Sequence, residues 1–523
     1  MIKSLKQFTK TRSEMVRGMA VAVGLAAVLA LPGTGFAQNE TPKVGGVLKI
    51  AHSTRIATMN VLNLSGPAEY PAIDMLYSGL TRIGMDNHPH PDLAESWSAN
   101  SDATVFDFKL RPNVTFHDGT PLTSDDVVAT FEAIQDPARG ASARSVLTMV
   151  KKVEAIDNLT VRFTLTVSYA DLPVAVAHAN ARIISAKALA GPKENLENKP
   201  NGTGPFKLES YDSSRMTRLV RNDNYFIEGV PYLDAVELHL FPDLTAQSAN
   251  YLSGNMDVLL AVEQADYDRI DKAPGSNALR VASGRFVNVV MRFDQKPFDD
   301  IRVRKALAMS IDRQTLVDVI LEGLGRPARD NILSPEYAYV IDSPEIPYDT
   351  AAAKQLLADA GYPDGIKIDL VASNRPAIRG QVAIAIKQMA LPAGFDINVK
   401  SMPHDTYLAN YWRKGNFYMA YWGMRSTPDG AFTLLLTSDA SYEDTAWNNK
   451  EFDAIVAKAR STPDDSERAQ LYAEAQKLIL RDTPYIIPFF QDVLTASRDG
   501  VKGWVVHPLN RVYYIESVWL DRN

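Results

Sequence analysis

The stretch Pro91-Asp-Leu-Ala-Glu-Ser-Trp97, then Phe106-Asp-Phe-Lys-Leu-Arg-Pro-Asn-Val-Thr-Phe-His-Asp-Gly-Thr-Pro121, then Asp125-Asp-Val127 carries strand, turn and helix signals in close succession. Phe106, Phe108 and Leu110 alternate with Asp107 and Lys109, the period of a half-buried strand. Phe116-His-Asp-Gly119 suits a turn, with glycine free to adopt a positive φ. Thr123 and Asp126 have the spacing of a capping box, opening a helix that buries Val127, Val128, Phe131 and Ile134.

The same mixture extends along the chain. Leu159, Val161, Phe163 and Leu165 alternate around Arg162 as a second strand. Asp349 can cap a helix over residues 351–360, with Gly361 at its C-terminal stop and Pro363 beyond. Leu471, Ala475, Leu478 and Ile479 form a helical stripe that ends before Pro484. The expected class is α/β, and no repeat or low-complexity tract interrupts it.

Length and composition set the limits. A chain of 523 residues with 46% hydrophobic and 22% charged residues can bury a large core, in two to four domains or one two-lobed body. The formal charge of −7 argues against a protein that lives on phosphate-backbone contacts, so no nucleic-acid partner is expected. The absence of cysteine excludes thiol nucleophiles, zinc-thiolate sites and disulfides.

Residues 1–37 read as an export signal. Lys3, Lys6, Lys10, Arg12 and Arg17 precede an apolar run from Gly18 to Leu31, and Gly35-Phe36-Ala37 offers small residues for cleavage. The run is shorter than the about 20 residues a membrane span needs. Removing five basic residues and Glu14 takes the charge from −7 to −11. Without a cysteine there is no lipid attachment at a processed N-terminus, so the expected location is free in the periplasm.

Familiar catalytic signatures are missing: no G-x-S-x-G, H-E-x-x-H, P-loop or EF-hand pattern occurs. His88-x-His90 lies in a turn with no third metal ligand indicated, and His117-Asp118 reads as turn chemistry before Gly119. No enzymatic role, metal or cofactor is expected. The acids are too many for sequence alone to pair two of them as a hydrolase site.

The quoted stretch strongly resembles the extracellular family 5 solute-binding proteins of peptide and nickel ABC importers, whose pattern runs P-x-L-A-x-S-W, then F-x-L-R-x-x-V-x-F-H-D-G-x-P. Matches continue through Gly202-Thr-Gly-Pro-Phe206, Pro297-Phe-Asp-Asp-Ile-Arg-Val-Arg-Lys-Ala-Leu307, Ala360-Gly-Tyr-Pro363 and Tyr472-Ala-Glu-Ala-Gln476. The resemblance implies a two-lobed periplasmic binding protein fold with a hinge and an extra subdomain inserted in lobe I. The expected division is 38–82, 201–298 and 489–523 for lobe I, 83–200 for the insertion and 299–488 for lobe II. It further implies capture of a solute, most simply a short peptide, between closing lobes, and its delivery by a monomer to inner-membrane permease subunits. A non-peptide cargo (an opine, an oligosaccharide or a nickel chelate) is the alternative, and a periplasmic hydrolase the third reading.

In peptide-binding members an acid shortly after a Gly-Trp segment pairs with the ligand amine. The corresponding run here is Tyr421-Trp-Gly-Met-Arg-Ser-Thr-Pro-Asp429, which makes Tyr421, Trp422, Arg425 and Asp429 the candidate ligand contacts. Arg425 offers a planar fork suited to a carboxylate, and with Asp429 it has the charges to address both ends of a zwitterion; alternatively the two pair with each other. Asn60 in Thr58-Met-Asn-Val61 stands where the family often has Thr-x-Asp-Pro, and is the fifth candidate.

Overall fold

The computed structural model describes residues 41–64 and 66–522. The candidate signal segment lies outside the described residues. No described helix is long and apolar enough to cross a membrane.

The dominant element is a 12-stranded mixed sheet. Ten of its strands run in the order Phe395–Met402, Ile366–Ser373, Phe417–Trp422, Ser276–Met291, Phe489–Arg498, Val258–Leu259, Val47–His52, Ala235–Leu240, Met216–Arg221, Phe206–Asp212; the other two, Gly325–Pro327 and Tyr485–Ile486, pair with Phe489–Arg498 and Ser276–Met291 respectively. Val47–His52 pairs in parallel with both Ala235–Leu240 and Val258–Leu259. The segment read as strand, turn and helix folds accordingly. Val105–Leu110 and Thr160–Leu165 are neighbours in a separate four-stranded antiparallel sheet, with Phe106, Phe108, Val161 and Phe163 buried. The helix Ser124–Gln135 covers this sheet, and the Asp126 carboxylate accepts from the Thr123 N–H at 2.9 Å. Asp349 likewise accepts from the Ala352 N–H at 2.9 Å to start the helix Thr350–Asp359.

The apolar side chains segregate into two lobes. One core joins Leu48, Ile50 and Leu76 with Phe108, Phe131, Phe163, Phe206 and Leu238, and takes in Val501, Val512 and Val518 from the C-terminal tail. Two further cores lie on the two faces of the other half of the large sheet. Phe286, Val290, Tyr418 and Trp422 belong to one, and Val287, Val289, Met291, Phe417 and Met419 to the other, as the period-2 alternation of strands requires. The expected insertion, residues 83–200, has no core of its own: its buried residues are continuous with those of 48–76 and 206–258.

Two strands cross between the lobes. Ser276–Met291 pairs with Phe489–Arg498 from Ser276↔Arg498 to Val281↔Val493, loses register, and resumes at Arg285↔Gln491. The bulge is the crossing point. Beyond it, Phe286 to Met291, Phe298, Phe489 and Phe490 contribute to the cores on the two faces of the other half of the sheet. The Pro297-Phe298 signal marks only the turn ahead of the helix Ile301–Met309, whose cap is Asp300. Gly284 sits in the bulge where a Cβ would fall 2.8 Å from Ser334 Oγ and 2.9 Å from the Tyr337 ring, so the close approach requires glycine.

Candidate functional site

The strand Phe417–Trp422 ends at the lobe boundary and feeds the run that sequence reading singled out. Tyr421 and Trp422 do not act as a pair, because successive side chains leave a strand on opposite faces. Tyr421 turns toward the core of Val287 and Met419, where its hydroxyl accepts from Arg285 Nη2 at 2.7 Å. Trp422 turns the other way and packs with Trp412 and Tyr442, ring centroids 6.5 and 5.4 Å away. Its indole N–H is buried and has no partner among the described residues.

Beyond Trp422 the chain turns through Met424 and Arg425 into the helix Pro428–Leu435, capped by Thr427 Oγ1 accepting from the Gly430 N–H at 3.0 Å. Asp429 stands in the first turn, only 2% exposed, and accepts from Arg460 Nε at 3.0 Å. Burial pushes its carboxyl up to about 6; Arg460 draws it down, and the charge of Asp171 pushes it up further. The partner of this acid within the protein is Arg460, not Arg425.

The lobes meet beside this helix, at the helices Lys450–Arg460 and Asp465–Asp482. The Ala170 N–H donates to the Arg460 carbonyl at 2.8 Å, joining a residue packed on the lobe I core to one in lobe II. Asp171 pairs with Arg468 Nη1 at 3.0 Å, with both side chains nearly buried. Arg468 also donates to Tyr339 Oη at 2.6 Å and to Asp465 Oδ1 at 2.7 Å. Further along the seam, Asn87 Nδ2 donates to the Glu336 carbonyl at 2.8 Å.

Arg425 is placed differently from its neighbours. Its backbone N–H donates to Tyr337 Oη at 2.7 Å, which fixes the turn, while its side chain is exposed. The guanidinium has no hydrogen-bond or ion-pair partner among the described residues. Its charge bears on Tyr70 and His178, both on lobe I. Those two rings meet edge to face at 6.1 Å, and the Arg511 guanidinium lies 4.4 Å above Tyr70. Beside them a lobe I cavity of about 180 Å³ opens at the end of Val47–His52, lined by His52, Thr54, Pro71, Trp504 and Arg511.

Asn60 is not brought to this turn. It is buried at the head of the short 3-10 helix Val61–Asn63, accepts from the Leu62 N–H at 3.1 Å and donates to Asn63 Oδ1 at 3.0 Å. Both ends of its amide are hydrogen-bonded within this short helix. His88 and His90 lie in an exposed turn around Asp86, and His117 faces the Gly204 carbonyl, not Asp118. Among the described residues no group of His, Asp or Glu is arranged to hold a metal ion.

Sequence reading missed Tyr70, His178, Asp171, Arg460 and Arg468, which lie far along the chain from residues 421–429. The family model for bacterial extracellular solute-binding proteins, family 5, matches residues 88–444. The chain belongs to that family. It has the two-lobed α/β fold of family 5 and is a solute-binding component of an ABC importer. The family 5 chain is 25% identical over 503 residues to the glutathione-binding protein GsiB of Escherichia coli, covering 94% of this chain and 96% of that one. The binding protein AgaA of A. tumefaciens R10, solved in complex with agropinic acid, is 26% identical with a TM-score of 0.74, covering 91% of this chain and 99% of that one. The ABC transporter substrate-binding protein CtaP of Listeria monocytogenes is 25% identical with a TM-score of 0.83, covering 92% and 100%.

Proposed function

We propose that this protein captures a short peptide or peptide-like acid between its lobes, as a monomer in the periplasm after loss of residues 1–37, and hands it to inner-membrane permease subunits. The observation that carries this reading is the seam itself. Lobe I meets lobe II through Ala170–Arg460 and Asp171–Arg468, and exposed Arg425 lies on the turn leading to Asp429, the partner of Arg460, so a solute bound at this seam touches both lobes at once. Such a solute favours the state in which the lobes meet, because only that state offers both sets of contacts. The glutathione ligand named for GsiB, a small peptide, supports the cargo class.

Catalysis is not part of the reading. Asp171 and Asp429 both have raised pKa values from burial, the mark of a possible carboxylate dyad, yet each is held by its own arginine. An opine cargo is the second reading, supported by the agropinic acid complex of AgaA. Mass spectrometry of the solute released from protein purified from the periplasm tests both. A ligand with an amide backbone fits the peptide reading. A sugar acid or opine without one overturns it and leaves the solute-binding role in place.

A further inference from the structure

We propose that the lobe I cavity at the end of Val47–His52 is a subsite for one neutral, hydrogen-bond-accepting group of the bound solute, such as a side-chain amide, held by the Trp504 indole N–H and the Thr495 hydroxyl. This rests on the peptide reading for the solute and names the chemistry of one of its side groups.

The cavity has a volume of about 180 Å³ and lies between the C-terminal tail, the turn that follows His52, and Thr495 in the strand Phe489–Arg498. A cavity of about 150 Å³ takes a benzene ring, so this one holds a single group of about that bulk. Thr54 and Asn510 in its lining are exposed, which leaves a mouth for the group to enter. The tail that walls it also reaches the lobe boundary. The Pro508 carbonyl accepts from Ser283 Oγ at 2.6 Å beside the bulge, and Leu509 packs against the lobe II core as well as against Ile83, Ala177 and Tyr513. The cavity therefore borders the point where the two lobes join.

Two polar atoms of the lining have no partner among the described residues. Thr495 is 4% exposed and its hydroxyl is unbonded; the Trp504 indole N–H is buried and unbonded too. An indole N–H only donates, a hydroxyl can donate, and a buried donor without an acceptor is costly. The other buried polar groups of the lining are engaged. His52 Nδ1 donates to the Thr54 carbonyl at 2.8 Å. His507 donates from Nε2 to the Gly84 carbonyl at 3.0 Å and accepts at Nδ1 from the Leu509 N–H at 3.1 Å. Burial keeps both rings neutral, lowering the pKa of His52 and bringing that of His507 down to about 4. Arg511 is bonded to Asp74, and Asp74 with Asp92 balances Arg511 and Arg182. Among the described residues no Asp, Glu or Lys lines the cavity. A charge of either sign would be buried there without a counter-ion, which is costly, whereas a neutral acceptor satisfies both donors.

The test follows the Trp504 indole N–H by NMR on the full mature chain, its signal among the six tryptophans assigned by its loss in Trp504→Phe. The probes are the dipeptides Gln-Gln, Glu-Glu and Met-Met, with affinities from calorimetric titration, and N-methylacetamide as a free amide. Gln-Gln should bind most tightly of the three and move the Trp504 signal downfield. Thr495→Val and Trp504→Phe should each weaken it roughly three- to tenfold, the value of one neutral hydrogen bond. The ligand-free melting temperature of Thr495→Val should hold or rise, because no bond is lost. A bound Gln-Gln that leaves the Trp504 signal in place, equal affinity in both variants, or tighter binding of Glu-Glu or Met-Met overturns the subsite. If no dipeptide binds but N-methylacetamide moves the Trp504 signal, the peptide reading fails and the subsite stands; if no probe moves it, the subsite fails.

Discussion

Replacing Asp171 by Asn is expected to loosen the seam without harming either lobe. The substitution keeps the shape and removes the charge that faces Arg468. In the structure the pair is 3.0 Å apart, with side chains 12% and 11% exposed, so solvent screens it little. Removing one partner of a fully buried pair costs about 3–5 kcal/mol. Here Arg468 keeps Tyr339 and the exposed Asp465, so the loss is nearer that of one charge-assisted hydrogen bond, about 2 kcal/mol. That cost falls on the state in which the lobes meet, because Asp171 and Arg468 belong to different lobes. A free protein that is mostly open would then bind its dipeptide probe about 30-fold more weakly. A free protein that is mostly closed would instead open, and its radius of gyration by solution scattering would rise to that of the open form. Scattering of the free variant together with titration of the bound one covers both cases. If neither quantity moves while thermal stability drops, the pair stabilises folding and not closure, and the reasoning fails.

Three other outcomes are expected. Asn60→Ala should cost about 1 kcal/mol of stability, the value of a lost cap, and leave probe affinity unchanged; a large loss of affinity at constant melting temperature would return Asn60 to the ligand site. Gly284→Ala should destabilise by about 1–3 kcal/mol in thermal or denaturant unfolding, since the new methyl has to displace Ser334, Tyr337 or Met424; a neutral result would mean that the bulge relaxes freely. Asp429→Asn should flatten part of the stability–pH profile. The native carboxyl titrates near 6, above its ordinary 3.8, so its stabilising contribution is fully present below about pH 4 and is lost as pH rises through 6. The melting temperature of the native protein relative to the variant should fall across that window, and a constant difference would refute the assignment.

The fold was legible in its local parts. The alternation of Phe106, Phe108 and Leu110, the capping acids Asp126 and Asp349 and the helix stripe through Leu471 and Ile479 appear in the structure where their patterns put them, because each is fixed by near neighbours. The crossing between the two halves of the sheet carries no local signal, since it depends on a register shift opposite a strand some two hundred residues further along the chain. The packing of the candidate site residues was not legible, for two separate reasons. Arg425 and Asp429 are four residues apart, but the helix begins only at Pro428, so the spacing that would bring them together does not exist. Tyr421 and Trp422 are adjacent in sequence, but strand periodicity sends them to opposite faces of the sheet. The residues that complete the seam, Asp171, Arg460 and Arg468, are brought there by topology, and no local pattern marks them.

The crossing of the two long strands has a consequence for how such a chain can be cut and rejoined. The chain passes into the second half of the large sheet at Arg285 and returns at Gln491, and these residues are direct cross-strand neighbours. Neighbours in an antiparallel pair have Cα atoms about 5 Å apart, so the ends of this long segment nearly touch. A module with adjacent ends is a geometric cassette: it can be lifted out and its host strands closed by a short turn, or re-entered with its own ends joined and new termini opened elsewhere. One half of the large sheet, with its cores, can thus be exchanged between relatives at two neighbouring residues, while the other half keeps its own core.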